Sequence, residues 1–147
     1  MSFTDDEITY LRSQRLARIA TVAADGQPDV MPVGYQFDGK YFYVGGMNPV
    51  KTRKFRNVRA GNTKVALVID DLVSVNPWTV RGLRIYGNAE LIARQDGQFG
   101  PGEYMRFHQP IRGAGTSRAL RPHTTRRSST GAPSTKRRLT RARSKGN

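Results

Sequence analysis

The sequence predicts a small, mainly β protein: an antiparallel closed or split β-barrel with two short helices and a basic, disordered C-terminal tail. Two observations carry the barrel. About five short runs of β-branched and aromatic residues are punctuated by Asp-Gly and Gly-Gly signals, which is the pattern of hairpins. A single helical segment crosses between them, which suits a small barrel better than alternating βα units. The tail follows from charge. The 147 residues carry a net +14, yet residues 1–105 hold 13 basic and 11 acidic side chains, whereas residues 106–147 hold 12 basic and none acidic.

Thr4-Asp5-Asp6-Glu7 has the form of a capping box, with Thr as N-cap and Glu three residues on, and opens a helix that ends near Arg15. Leu16 to Ala23 is β-branched and apolar and runs into the turn pair Asp25-Gly26. Asp29 to Phe37 then puts Met31, Val33, Tyr35 and Phe37 on one face at period two. Pro32 inside it argues for an edge, a bulge or a place where a ligand replaces a ladder partner. Asp38-Gly39 signals a second turn before the third strand, Lys40 to Val44. Gly45-Gly46 breaks the sheet, and Asn48 as N-cap with Pro49 at N1 predicts a helix over 49–59, packing Phe55 and Val58 and stopped by Gly61. Lys64 to Asp70 reads as a buried strand and Asn76-Pro77-Trp78-Thr79 as the loop after it. Arg81 to Arg94 is a long strand bent at Gly87, and Gly97 to Gly102 is a connector.

Residues 1–105 therefore form one domain with a modest core. In residues 106–147 only eight of 42 side chains are apolar, four of them alanine, so burial cannot offset the entropy of ordering that segment.

Composition removes several chemistries. Without cysteine there is no disulfide framework, zinc-thiolate site or thiol nucleophile. Both histidines, His108 and His123, fall at or past the edge of the predicted domain, which argues against a Ser-His-Asp hydrolase or a histidine metal site. Asp70 and Asp71 are adjacent on a strand and point to opposite faces, so they do not form a catalytic pair. No apolar run nears the roughly 20 residues of a spanning helix, and the acidic start Asp5-Asp6-Glu7 is unlike a signal peptide. The expectation is a cytoplasmic protein with no membrane partner and no metal.

Two segments resemble phosphate loops. Gly34 to Lys40 satisfies GxxxxGK, but Tyr41 stands where Ser or Thr must bind magnesium, and the segment spans a hairpin; this match is rejected. The second, Gly45 to Lys54, has two glycines after a strand and a helix start carrying Lys51, Thr52, Arg53 and Lys54. Cations in a first turn oppose the helix dipole by about 0.3–1 kcal/mol each, and a bound anion reverses that sign.

These residues also resemble a known family. PDVMPVGYQFDG, VKTRKFRNVRAGN and RGLRIYGNAEL occur in the order and spacing of the pyridoxamine 5′-phosphate oxidase-like proteins, in particular the branch of coenzyme F420-dependent oxidoreductases; the likeness covers residues 4–105. It implies an FMN-binding split barrel-like fold and a homodimer with a flavin or deazaflavin at the subunit interface. By position, Met31, Pro32 and Val33 would line the cofactor ring, Gly45 and Gly46 the ribityl chain, and Lys51 and Thr52 the phosphate. Arg53, Lys54 and Arg56 would reach a long anionic tail, and Trp78 and Arg81 the partner's site. The implied activity is hydride transfer from reduced F420 to an electron-poor small-molecule acceptor. Alternatives are an FMN-binding oxidase or flavin reductase and, from another class, a non-catalytic basic nucleic-acid-associated protein.

Past Tyr104-Met105 the resemblance stops, where the family continues with a further strand that helps close the barrel. Three readings of residues 106–147 compete: a tail that binds nucleic acid non-specifically through counterion release, an inert extension, or a product of GC-rich coding sequence read out of frame. We favour the third.

Overall fold

The computed structural model describes residues 3–108 and the backbone of 118–120. Helix α1 (Asp5–Ser13) has the expected capping box: Thr4 accepts from the Glu7 amide while the Glu7 side chain accepts from Thr4 N–H. The strands are β1 (Leu16–Val22), β2 (Pro28–Gly34), β3 (Gln36–Phe37), β4 (Phe42–Val44), β5 (Lys64–Val75), β6 (Trp78–Arg94), β7 (Gly102–His108) and the short β8 (Arg118–Leu120), with helix α2 (Arg53–Arg59) between β4 and β5.

The sheet order is β2-β1-β5-β6-β7-β4-β3, with β8 beside β6 and every pairing antiparallel. The two ends of that order, β2 and β3, are consecutive in the chain. The predicted strand 29–37 is thus two strands, because at Tyr35 the chain leaves β1 and turns to pair with β4. That bend brings the two ends of the sheet together as a split barrel. Tyr35 fixes it, buried, with its hydroxyl donating to the Leu11 carbonyl at 2.6 Å.

Alternate residues of each strand fill the interior: Ala17, Ile19 and Thr21 from β1, Val65, Leu67 and Ile69 from β5, Leu83, Ile85 and Ala89 from β6. Phe42, Phe55 and Phe107 are the largest fully buried side chains. Phe37 stacks on Phe42 with centroids 4.6 Å apart, and Phe107 meets Phe42 edge-on at 6.0 Å. Each such side chain contributes about 1.5–3 kcal/mol by leaving water.

Three expectations need correction. The predicted loop 71–80 is mostly strand: β5 and β6 run on as a ribbon to a tight turn at Asn76-Pro77, with a register shift between Leu72 and Ser74. The predicted helix 49–59 is a 3-10 turn, Pro49–Lys51, followed by α2 from Arg53 with Thr52 as its N-cap. The cause is local: Thr52 is extended (φ −86°, ψ 145°), and its Oγ1 donates back to the Pro49 carbonyl at 3.0 Å, closing the first turn before the α-helix begins. The third correction is the boundary at 105/106, which falls inside β7. Phe107 pairs with both Phe42 and Ala89 and is 1% exposed, so the fold continues at least to His108. The tail reading otherwise rests on residues 109–117 and 121–147, which lie outside the described residues. No described helix is long and apolar enough to cross a membrane.

Candidate functional site

Strand β2 is an edge strand among the described residues, paired only with β1, which is where a proline lacking an N–H is tolerated. Side-chain parity sets what each residue faces. Asp29, Met31 and Val33 stand opposite Thr21, Ile19 and Ala17, all buried, so they share the inner face. Val33 is buried there, but Met31 is 47% exposed, so the inner face lies open beside the β2 edge. Pro32 belongs to the outer face, opposite Arg18.

Helix α2 packs on β1 and β6. Asn57 Nδ2 donates to Thr21 Oγ1 at 2.9 Å, with both residues buried, and this bond pins the helix to the inner face beside Asp29. The basic residues around the start of α2 then separate. Lys51 precedes the helix and is exposed, as are Arg53 and Arg56. Lys54 is 8% exposed, and no carboxylate lies within ion-pair range of it among the described residues. Burial lowers its ammonium pKa, and the charge of Asp29 opposes that only in part. Thr52 makes no side-chain cap, so the first-turn amides of α2 receive no bond from it. The structure thus groups Lys54, Asp29 and Met31. Asp29 and Met31 are two residues apart on one strand face, roughly 7 Å.

The two glycines differ. A Cβ on Gly45 would lie 2.5 Å from Tyr104 Cε1 and 2.9 Å from Phe99 Cδ2, so aromatic packing occupies the space that was expected to receive a ligand. Tyr104 is held there by its hydroxyl, which accepts from Phe99 N–H at 2.9 Å and donates to the Gly100 carbonyl at 2.8 Å. Gly46 has open space around it.

Trp78 is remote. It sits at the tip of the β5–β6 ribbon, 57% exposed beside Val75, while α2 leads into the ribbon's other end at Lys64. The 12 residues of β5 span roughly 40 Å when extended. Within one chain the structure does not bring Trp78 to Lys54. Arg81 is already engaged: its Nε donates to Asp71 Oδ1 at 2.8 Å, and its guanidinium lies 5.0 Å from the Tyr10 ring centroid.

Asp29, Thr21 and Asn57 were not singled out from the sequence. The available signal was helical spacing: Lys54 and Asn57 fall three apart beside Phe55 and Val58, a polar pair on the buried stripe of a short helix. Two concavities lie elsewhere. One, of about 400 Å³, is on the outer face, where Ala20, Val22, Pro28, Ala66 and Tyr86 form an apolar surface. The other, of about 430 Å³, lies between α1 and the chain after β2.

Compared with known proteins, the chain is 43% identical over 94 residues to 5a,11a-dehydrotetracycline/5a,11a-dehydrooxytetracycline reductase of Streptomyces rimosus, covering 63% of this chain. It spans 66% of that relative's length, just under two thirds. Its fold matches a FAD-binding protein from Mesorhizobium loti with a TM-score of 0.57 at 21% identity, covering 75% of this chain and 90% of that one. It matches an F420 reductase with a TM-score of 0.51 at 22% identity, covering 65% and 86%. Residues 4–123 match the family described as pyridoxamine 5′-phosphate oxidase, a stretch that includes the inner face of β2, all of α2 and the whole of β7. The chain belongs to the pyridoxamine 5′-phosphate oxidase family.

Proposed function

We propose that this chain is an oxidoreductase that holds a flavin-type cofactor between β2 and α2, and that the cofactor is the deazaflavin F420. The observation that carries the reading is Lys54, a buried residue with no carboxylate in ion-pair range among the described residues, one turn before the buried Asn57–Thr21 bond. A desolvated cation is costly unless an anion joins it, and a cofactor phosphate is such an anion. The family match and the name of the Streptomyces relative support redox chemistry.

In this reading Lys54 and the first-turn amides of α2 hold the phosphate, and the β2 segment Met31–Val33 lines the ring through its exposed edge. Lys51, Arg53 and Arg56 form an exposed cationic fringe that suits a longer anionic tail than FMN has. A reduced cofactor held there would supply hydride to an electron-poor acceptor. The chain's part is to fix the ring and exclude water from one face. Trp78 acts from a second copy, its ribbon reaching the partner's ring. The apolar cross-strand row Val30, Ala20, Ala66 and Tyr86 on the outer face is the surface on which the copies meet.

Fluorescence titration of the full chain with F420 and with FMN tests this. Lys54→Met should weaken either cofactor by about 1.5–3 kcal/mol, the loss of a charged hydrogen bond, and Lys51→Ala by less. Replacing Arg53 and Arg56 with Gln should weaken F420 and leave FMN unchanged. Equal affinity for parent and Lys54→Met would remove the phosphate from this site.

A further inference from the structure

The concavity of about 430 Å³ beside α1 has no part in that reading. Its lining includes Arg12 and Arg15 from the end of α1 and the residues after it, Gln36 from β3 and Gln98 from the connector, over an apolar floor that includes Leu11 and Phe37. Among the described residues Arg18, Arg59, Arg81, Arg94 and Arg106 each have a carboxylate partner; Arg12 and Arg15, both exposed, have none, as is also true of Arg53, Arg56 and Arg84. Arg12 has a local reason to be basic, since it lies in the last turn of α1, where a cation complements the helix dipole. Arg15 lies beyond the helix and has no such reason.

The amide of Gln36 is oriented by its own bond. The Gln98 backbone N–H donates to it at 3.1 Å, and because that group is a donor, the atom receiving it must be the carbonyl oxygen Oε1. The Nε2 hydrogens of Gln36 are therefore left over, on a residue that lines the pocket. Tyr35, also in the lining, cannot compete for a ligand, because its hydroxyl already donates to Leu11. The free polar groups of Arg12, Arg15 and Gln36 are thus donors, two of them cationic, while Gln14, whose Nε2 donates to Ser13 Oγ at 3.2 Å, adds one amide carbonyl to the same lining.

We propose that this pocket is a binding site for a small anion of the carboxylate or phosphate class, with Arg12 and Arg15 supplying charge and Gln36 a directed hydrogen bond. Two like charges at one pocket repel, and an anion between them reverses the sign of that interaction. The site is independent of the cofactor reading.

The test is a site-resolved NMR titration of the full chain at constant ionic strength, with inorganic phosphate in one arm and succinate in the other. Site resolution matters because the basic residues 106–147 would collect anions in any bulk measurement. Saturating shifts of the Gln36 side-chain amide and the Arg15 Nε–H are expected, with half-saturation raised tenfold or more in the R12Q/R15Q double variant. Stronger binding in one arm assigns the ligand to that class. Shifts that rise linearly without saturation in both arms, or that are the same in R12Q/R15Q, would overturn the site. Lys54→Met should leave these shifts unchanged, so failure here and failure of the cofactor reading are separable.

Discussion

At the scale of single residues, Lys54 sets function against stability. Its pKa is lowered in the folded chain, so between that lowered value and the ordinary lysine value the unfolded state binds more protons than the folded one. Stability therefore rises as pH climbs through that window, and at neutral pH the buried charge is a cost. Lys54→Met removes the charge and keeps the length. It should raise the melting temperature of the cofactor-free protein, by about 1 kcal/mol in stability, while weakening cofactor binding. A variant that melts lower would mean that Lys54 holds the fold together and does not await an anion. The glycine pair gives a second contrast. Gly45→Ala forces a methyl into Tyr104 and Phe99 and should cost about 1–3 kcal/mol in urea unfolding, whereas Gly46→Ala meets nothing and should be near neutral. From the sequence the two looked equivalent. The difference comes from Tyr104, on a strand that reaches Gly45 only because β7 pairs with β4, and local pattern contains no information about that contact.

At the scale of elements, legibility followed burial. The capping box of α1, the turns at Asp25-Gly26 and Asp38-Gly39, and the interior alternation of β1 and β5 could be read because side-chain pattern and backbone agree there. Both glycines take the positive φ that the turns require. The ribbon beyond Asp70 could not be read. There Leu72, Val73, Val75 and Trp78 are all exposed, so backbone pairing continues with no inside to impose alternation. What ties the base of this ribbon to α1 is a polar contact: Tyr10 donates to Asp71 Oδ1 at 2.8 Å, and Arg81 Nε donates to the same oxygen. The Arg81 hydrogen bond is the main cause that holds the Asp71 carboxyl below the ordinary aspartate range, with Tyr10 adding to it. For a lowered carboxylate pKa the stabilisation is complete above the unfolded value, about 3.9, and is lost as pH falls toward the folded one. Asp71→Asn should therefore flatten the acid limb of stability against pH below about 4, with the difference from the parent largest near neutrality. Parallel curves for parent and variant in urea melts would show that the contact adds nothing to folding.

At the scale of the whole molecule, the charge asymmetry and the fold do not share a boundary. Basic excess begins at Arg106, but the sheet does not end there. Arg106 Nε donates to Glu90 at 2.7 Å, Phe107 is buried against Phe42, and β7 supplies the pairing that joins β6 to β4. The fold thus runs past the point where the basic excess begins, and the family match continues to residue 123. Truncation separates these boundaries. A chain ending at Met105 loses the Phe107 side chain, worth about 3–5 kcal/mol by analogy with Phe→Ala in cores, together with the last rungs of two ladders. Against the roughly 5–15 kcal/mol that stabilises a domain of this size, that loss is large enough to unfold it. A chain ending at His123 keeps every described strand and sheds much of the positive charge. It should melt within a few degrees of the full chain, about the shift that under 1 kcal/mol produces, and bind cofactor equally well. Circular dichroism melts of the three chains decide it. Identical melting of the 1–105 chain would mean that β7 beyond Met105 adds nothing to the barrel, and loss of cofactor binding in the 1–123 chain would make the basic tail part of the site.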